Sequence, residues 1–193
     1  MFSGIISHIG SVAESRGGRL AISAPRNFVG KLGIGTSVAV NGACLTVVGK
    51  KGGAFVADIM PETARRTTLG RLRKNAIVNL ELPATPDSFL SGHIVQGHID
   101  GIGALTNVAR KGNGRMLKFS LPRGLSKYVV EKGSIAVNGV SLTVIQAGKN
   151  CFTGVIPHTW RTTSMHALKP GDPVNIEVDI IAKYLKKLLK TRA

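Results

Sequence analysis

The chain has 193 residues and a formal net charge of +16, from 26 Lys and Arg against 10 Asp and Glu. Plentiful Gly, short Val/Ile/Thr runs and few helix formers read as all-β, at a length that allows one large core or two small ones. No apolar run is long enough for a bilayer, no basic region precedes Phe2-Ser3-Gly4-Ile5-Ile6, and Cys44 and Cys151 make no disulfide framework; the expected location is cytoplasmic, with no membrane partner.

In chain order, strand-like runs are predicted near 2–12, 19–24, 36–41, 43–49, 54–59 and 76–82, with an exposed hairpin tip at 15–19. The stretch 37–47 organises the rest. It reads Ser-Val-Ala-Val-Asn-Gly-Ala-Cys-Leu-Thr-Val and returns at 134–144 as Ser-Ile-Ala-Val-Asn-Gly-Val-Ser-Leu-Thr-Val, eight of eleven positions being identical. An Asn-Gly pair between apolar arms signals a tight hairpin, because both turn residues take positive φ. Beyond the turn side chains alternate, so Leu45 and Val47 face a core while Cys44 and Thr46 face outward. Leu142 and Val144, against Ser141 and Thr143, repeat the pattern. A short helical turn is predicted at 61–69.

The repeat runs through both halves. Gly4-Ile5-Ile6 matches Gly97-His98-Ile99, Glu62-Thr63 matches His158-Thr159, and Val78-Asn79-Leu80-Glu81 matches Val174-Asn175-Ile176-Glu177. A linker rich in Pro and polar residues, 83–87, separates the halves. The second half predicts a hairpin tip at 111–115 and a helical turn at 159–168. The tail 179–191 differs in kind: Ile181, Tyr184, Leu185, Leu188 and Leu189 fall at helical spacing, with Lys183, Lys186, Lys187 and Lys190 opposite. Neither repeat needs this helix, so its stripe is expected to serve subunit assembly.

The positive charge invites a nucleic-acid reading. The cations are scattered, however, and 6 Phe, 2 Tyr and 1 Trp offer little to stack bases on. Nucleic acid is not an expected partner. No cluster of ligands has metal spacing, and Gly97-x-x-x-Gly101-x-Gly103 opens no helix after a strand, which excludes a dinucleotide fingerprint.

The opening Met1-Phe2-Ser3-Gly4-Ile5-Ile6, both Asn-Gly-x-x-Leu-Thr-Val hairpins, Gly92-His93-Ile94-Val95-Gln96-Gly97-His98-Ile99-Asp100-Gly101 and Ile156-Pro157-His158-Thr159 together resemble the riboflavin synthases, enzymes of two lumazine-binding repeats. Ser3 stands where Thr is usual and Ser91 where Gly is usual. The resemblance implies two similar six-stranded antiparallel Greek-key β-barrels related by a pseudo-two-fold axis, plus a C-terminal α-helix. It divides the chain into barrels at 1–93 and 94–178 and a trimerisation helix at 179–193. It also implies a reaction. Two molecules of 6,7-dimethyl-8-ribityllumazine exchange a four-carbon unit, giving riboflavin and 5-amino-6-(D-ribitylamino)uracil without cofactor or metal. A homotrimer is implied, with the working site between the N-terminal barrel of one subunit and the C-terminal barrel of the next. The excess positive charge raises association with the acidic partner that makes the lumazine, lumazine synthase.

By the same resemblance Cys44 serves as nucleophile or proton donor, although free Cys is ordinarily a small buried hydrophobe. His98 is implied as general acid/base or orienting group. Ser141 and Thr143 approach the second substrate molecule. Asp179 either polarises a neighbouring hydroxyl or caps the tail helix. His93 and Cys151 are read as structural, His93 bonding backbone at the junction. Binding in the first repeat is expected from Gly4, Ile5, Ile6, Cys44, Leu45, Thr46 and the run Asp58-Ile59-Met60-Pro61-Glu62-Thr63. In the second it is expected from Gly97, His98, Ile99, Lys132, Ser141, Leu142, Thr143 and the run Ile156-Pro157-His158-Thr159-Trp160-Arg161. The rival within the same fold is a non-catalytic lumazine or flavin carrier of the antenna type; retention of Cys44, His98, Ser141 and Thr143 favours the enzyme.

Overall fold

The structure is a computed structural model and describes residues 1–190; the end of the expected tail at 191–193 lies outside them. Six strands make the first barrel: β1 (His8–Arg16), β2 (Arg19–Ser23), β3 (Ser37–Val40), β4 (Ala43–Lys51), β5 (Ala54–Asp58) and β6 (Ile77–Glu81). Six more make the second: β7 (Gly101–Lys111), β8 (Gly114–Ser120), β9 (Ser134–Val137), β10 (Val140–Gln146), β11 (Asn150–Val155) and β12 (Pro173–Val178). The ladder order β1-β2-β5-β4-β3-β6 recurs as β7-β8-β11-β10-β9-β12, all antiparallel. Both sheets close, β6 onto β1 and β12 onto β7. Closure removes the unpaired edges that a small open sheet would leave.

The hairpins form as the sequence predicts. Asn41 and Gly42 take φ of 44° and 78°, Asn138 and Gly139 45° and 79°, the left-handed pair that matches strand twist. Leu45 and Val47 are buried among Val12, Leu20, Ile22, Phe28, Phe55 and Leu80; Leu142 and Val144 among Leu105, Leu117, Phe119, Ile135 and Ile176. Thr46 and Thr143 are exposed, and Cys44 and Ser141 half-buried. The helical turns are α2 (Pro61–Arg66) and α3 (Pro157–Thr162), each running into a 3₁₀ turn, at Thr68–Arg71 and Ser164–Ala167. A short α1 (Arg26–Val29) carries Phe28 into the first core and lay outside the sequence expectation. The tail is α4 (Ile180–Lys190), whose Ile181, Tyr184, Leu185, Leu188 and Leu189 are exposed. Among the described residues no helix is long and apolar enough to cross a membrane.

One expectation is corrected. The sequence predicts one strand over 2–12, but β1 begins at His8, and the residues before it reach across to the second barrel, where Ser141 N–H meets the Gly4 carbonyl. Phe2 instead pairs antiparallel with Val95, its N–H 2.7 Å from the Val95 carbonyl. Phe2, Ala39, Val95 and Ala136 form a small apolar cluster between the barrels. Phe2 is fully buried there, a side-chain burial worth roughly 1.5–3 kcal/mol.

The seam between barrels is a reciprocal polar network. Asn79 Nδ2 donates to the Asn138 carbonyl at 2.9 Å, and Asn175 Nδ2 to the Asn41 carbonyl at 2.8 Å. The other amide oxygens accept from backbone across the seam, Asn79 from Ser164 at 2.6 Å and Asn175 from Thr68 at 2.7 Å. All four asparagines are buried and none of these atoms is orphaned, which is what keeps a buried polar cluster stabilising. Gly42 and Gly139 meet at the centre; a Cβ on Gly42 would lie 2.6 Å from the Gly139 nitrogen.

Candidate functional site

Each barrel carries a cradle on the outer face of its hairpin strand, and each cradle is roofed by the other half. Residues 96–99 cross onto the first barrel, where Cys44 N–H donates to the Gly97 carbonyl at 2.9 Å. Residues 3–6 cross onto the second, where Ser141 N–H donates to the Gly4 carbonyl at 2.8 Å. Ile99 packs on the first core and Ile6 on the second. The grouping expected from sequence is therefore exchanged: Gly97, His98 and Ile99 belong with Cys44, and Gly4, Ile5 and Ile6 with Ser141. Side-by-side repeats hide this, because each lead segment matches its own repeat while leaving it.

Two buried carboxylates hold the roofs in place. Glu81 accepts from Ser3 N–H and Ser3 Oγ, both at 2.7 Å, and from Gly4 N–H at 3.1 Å. Glu177 accepts from Gln96 N–H at 2.7 Å and Gly97 N–H at 3.0 Å. Loss of water raises both pKa values above the usual carboxylate range, Glu177 to about 7, against the lowering pull of those N–H donors. Asp100 bonds Val178 N–H at 2.9 Å and Lys183 at 2.7 Å, tying α4 to the same crossing segment. The matched Val-Asn-x-Glu runs were visible in the sequence, but a repeated Glu gave no sign that it grips backbone.

In the first cradle Cys44, Glu62, Thr63, Gly97, His98 and Ile99 line a cleft of about 190 Å³. Cys44 Cβ sits directly beneath Gly97 and His98 is exposed. Glu62 is engaged by Arg66 and, at 2.7 Å, by Arg65, and these bonds hold its carboxyl below the usual range. Met60 and Pro61 enter α2 on the exposed side. Asp58 pairs with Arg19 at 2.8 Å on the surface, and Ile59 packs into the barrel core, as does Leu45. For Ile59, Leu45 and Leu142 only backbone is left to meet a ligand.

In the second cradle Ser141 and the exposed Thr143 project from β10. α3 presents His158, Thr159, Trp160 and Arg161, with Ile156 exposed and Pro157 at its start. The Arg115 guanidinium lies over the Trp160 ring, 5.5 Å from its centre. Lys132 has φ 62°, and its N–H donates to the Val144 carbonyl at 2.8 Å, placing it beside β10. Asp179 Oδ1 accepts from Ile181 N–H at 2.9 Å, a cap on α4. His93 bonds backbone at the junction, its N–H donating to the Ser3 carbonyl at 3.1 Å, and its ring adds a bond that the sequence did not show, Nδ1 to the Ser141 Oγ at 2.7 Å. Cys151 is buried in the second core, which pushes its thiol up to about 11. Among the described residues no group of three or more His, Cys, Asp or Glu is placed to hold a metal.

Comparison with known proteins matches this architecture. A family model described as the lumazine binding domain matches residues 3–83 and again 96–179. A riboflavin synthase of Mycobacterium tuberculosis is 40% identical over 200 residues, covering 99% of each chain. One from Bacillus subtilis is 37% identical, over 98% of this chain and 90% of that one. Among solved structures, LumP complexed with riboflavin superposes with a TM-score of 0.86 at 27% identity, over 92% of this chain and 99% of that chain. LumP complexed with 6,7-dimethyl-8-(1'-D-ribityl) lumazine gives 0.83 at 26%, with the same coverage.

Proposed function

The chain belongs to the lumazine-binding family of riboflavin synthases, and from that membership we propose that it converts two molecules of 6,7-dimethyl-8-ribityllumazine into riboflavin and 5-amino-6-(D-ribitylamino)uracil. The reaction is a four-carbon transfer and uses no added cofactor. The observation that carries the reading is the pair of cradles, alike in their backbone roof and hairpin strand, differing at Cys44 against Ser141. Donor and acceptor are one compound, so two copies of one cradle serve both. Fixing two rings in one orientation supplies much of the acceleration, with effective molarities worth about 7–11 kcal/mol in well-aligned systems.

In this reading Cys44 and Thr46 with His98 and Thr63 hold one lumazine; Ser141 and Thr143 with Ile5, Ile6 and Thr159 hold the other. Backbone N–H and C=O groups of the roofs pair with the pyrimidinedione edge. The barrels 1–93 and 94–178 act on facing subunits of a homotrimer, and α4 holds it together through its exposed stripe. The place of action is the cytoplasm. The scattered positive charge favours an acidic partner, for which lumazine synthase is the candidate.

The test is turnover. Purified protein mixed with the lumazine alone should yield riboflavin absorbance, and Cys44→Ser or His98→Ala should lower it. Tight lumazine binding without turnover would replace the enzyme with a carrier of the LumP kind.

A further inference from the structure

We infer that a cleft on the seam between the barrels, apart from both cradles, binds a nucleoside monophosphate whose base edge donates N–H groups, guanine being the type. The cleft holds about 330 Å³, at the lower end of the range for small-molecule sites. Its lining comes from both halves at matching positions 96 residues apart: Thr68 with Ser164, Leu72 with Leu168, Ile77 with Pro173. No residue placed in either cradle lines it, so the inference stands apart from the reading proposed above.

One end of the cleft offers donors to an anion. Thr68 and Arg71 are the first and last residues of one 3₁₀ turn, and in such a turn side chains at i and i+3 lie over one another. Both line the cleft. Thr68 is 5% exposed, its N–H is held by Asn175 Oδ1 at 2.7 Å, and its hydroxyl has no hydrogen-bond partner among the described residues. A buried hydroxyl without a partner is costly in a native fold and calls for an explanation; a phosphate oxygen supplies the acceptor. On the same face the Arg71 guanidinium offers the fork to which phosphate oxygens bind in pairs. The net charge of +16 draws anions toward it.

The second half answers with an acceptor, and here the repeat breaks its own symmetry. The counterpart of Arg71 is Ala167, and the counterpart of Ala76 is Asp172. A guanidinium from one half and a carboxylate from the other thus line one cleft, and among the described residues they form no ion pair with each other. Asp172 Oδ2 accepts from Lys169 N–H at 2.8 Å, which fixes the carboxylate and leaves Oδ1 for a ligand. A carboxylate matches the paired N–H donors on the guanine edge, where adenine presents a ring acceptor instead. Leu72, Leu168 and Ile77 supply the apolar wall against which most of a ligand's surface is buried.

Isothermal titration of the full chain with GMP, in the absence of lumazine, tests this. The parent should take one GMP per chain with Kd below about 1 mM. Arg71→Ala should weaken GMP about 10–100-fold and leave guanosine, which lacks the phosphate, unchanged. Asp172→Asn should weaken GMP by a similar factor and close the gap between GMP and AMP. Thr68→Val, of the same shape without the hydroxyl, should weaken GMP about 3–10-fold. Arg71 is exposed and Asp172 half-buried, so both variants should keep the parent's urea midpoint. GMP binding that ignores Arg71→Ala and Asp172→Asn, that AMP or inorganic phosphate equals, or that the lumazine displaces overturns the inference, as does no binding at all. A parent that binds GMP but neither binds nor converts the lumazine overturns the reading of the cradles and leaves this inference standing.

Discussion

Gly97 and Cys44 touch backbone to side chain across the two halves of the chain: a Cβ on Gly97 would stand 2.6 Å from the Cys44 Cβ, and Gly97 has φ 82°. Gly97→Ala therefore combines left-handed strain with a collision that rigid backbone cannot relieve. It should cost roughly 2–5 kcal/mol and remove most turnover. Gly17→Ala, with φ 60° and open space around it, carries the strain alone and should cost about 1 kcal/mol. Paired urea melts separate the two contributions; equal losses would mean that the contact with Cys44 carries no energy.

The asparagine network predicts a stability effect far from either cradle. Asn175→Ala leaves the Thr68 N–H and the Asn41 carbonyl buried without partners. The expected loss is about 2–4 kcal/mol, read as a fall in the urea midpoint at unchanged slope. Asn175→Asp keeps the acceptor for Thr68 and loses the donor to Asn41, and it places a charge in the seam. It should be no milder than alanine.

Thiol chemistry distinguishes the cysteines. In the folded protein a thiol reagent at pH 8 should titrate Cys44 first, since it is half-buried at the cradle, and reach Cys151 only on unfolding. Burial holds the Cys151 thiol near 11, far above the assay pH. Cys44→Ser should keep the fold, Ser141 being its counterpart, while lowering turnover by about 10–100-fold. Rapid reaction of both thiols in native buffer would contradict the packing of the second core.

The pH dependence of stability should carry the mark of Glu177. Its folded pKa is about 7 against an ordinary 4.5, raised chiefly by loss of water. The folded state thus binds the extra proton, and the stabilisation is full below pH 4.5 and lost as pH rises through 7. Glu81 acts in the same direction. His93, whose pKa is lowered by burial, acts in the opposite one and costs stability as pH falls below its unfolded value. The difference between parent and Glu177→Gln isolates the first effect. The parent's urea midpoint should drop more than the variant's between pH 5 and 7.5.

Much of this was legible in the residues. The Asn-Gly turns, the alternation around Leu45 and Leu142, and the doubled order of strands follow from local rules of φ and period, which tertiary context did not override. The exchange of roofs was not legible. Gly4 and Gly97 align with each other in the repeat, and alignment says nothing about which barrel a segment packs on once it leaves its strand. Glu81 and Glu177 escaped for a related reason: a carboxylate at a strand end reads as a solvated charge until its backbone partners, some eighty positions away, are known. The ring bond of His93 was hidden in the same way, its partner Ser141 lying 48 positions distant.

The crossed leads have a consequence for how the molecule melts. Phe2 and Val95 clasp one another between the barrels, and each lead is gripped by a carboxylate of its own barrel and by a hairpin-strand N–H of the sibling. Neither half can therefore come apart while the other stays whole. A calorimeter should record one endotherm for both, with equal calorimetric and van't Hoff enthalpies, where two independent barrels would give a shoulder.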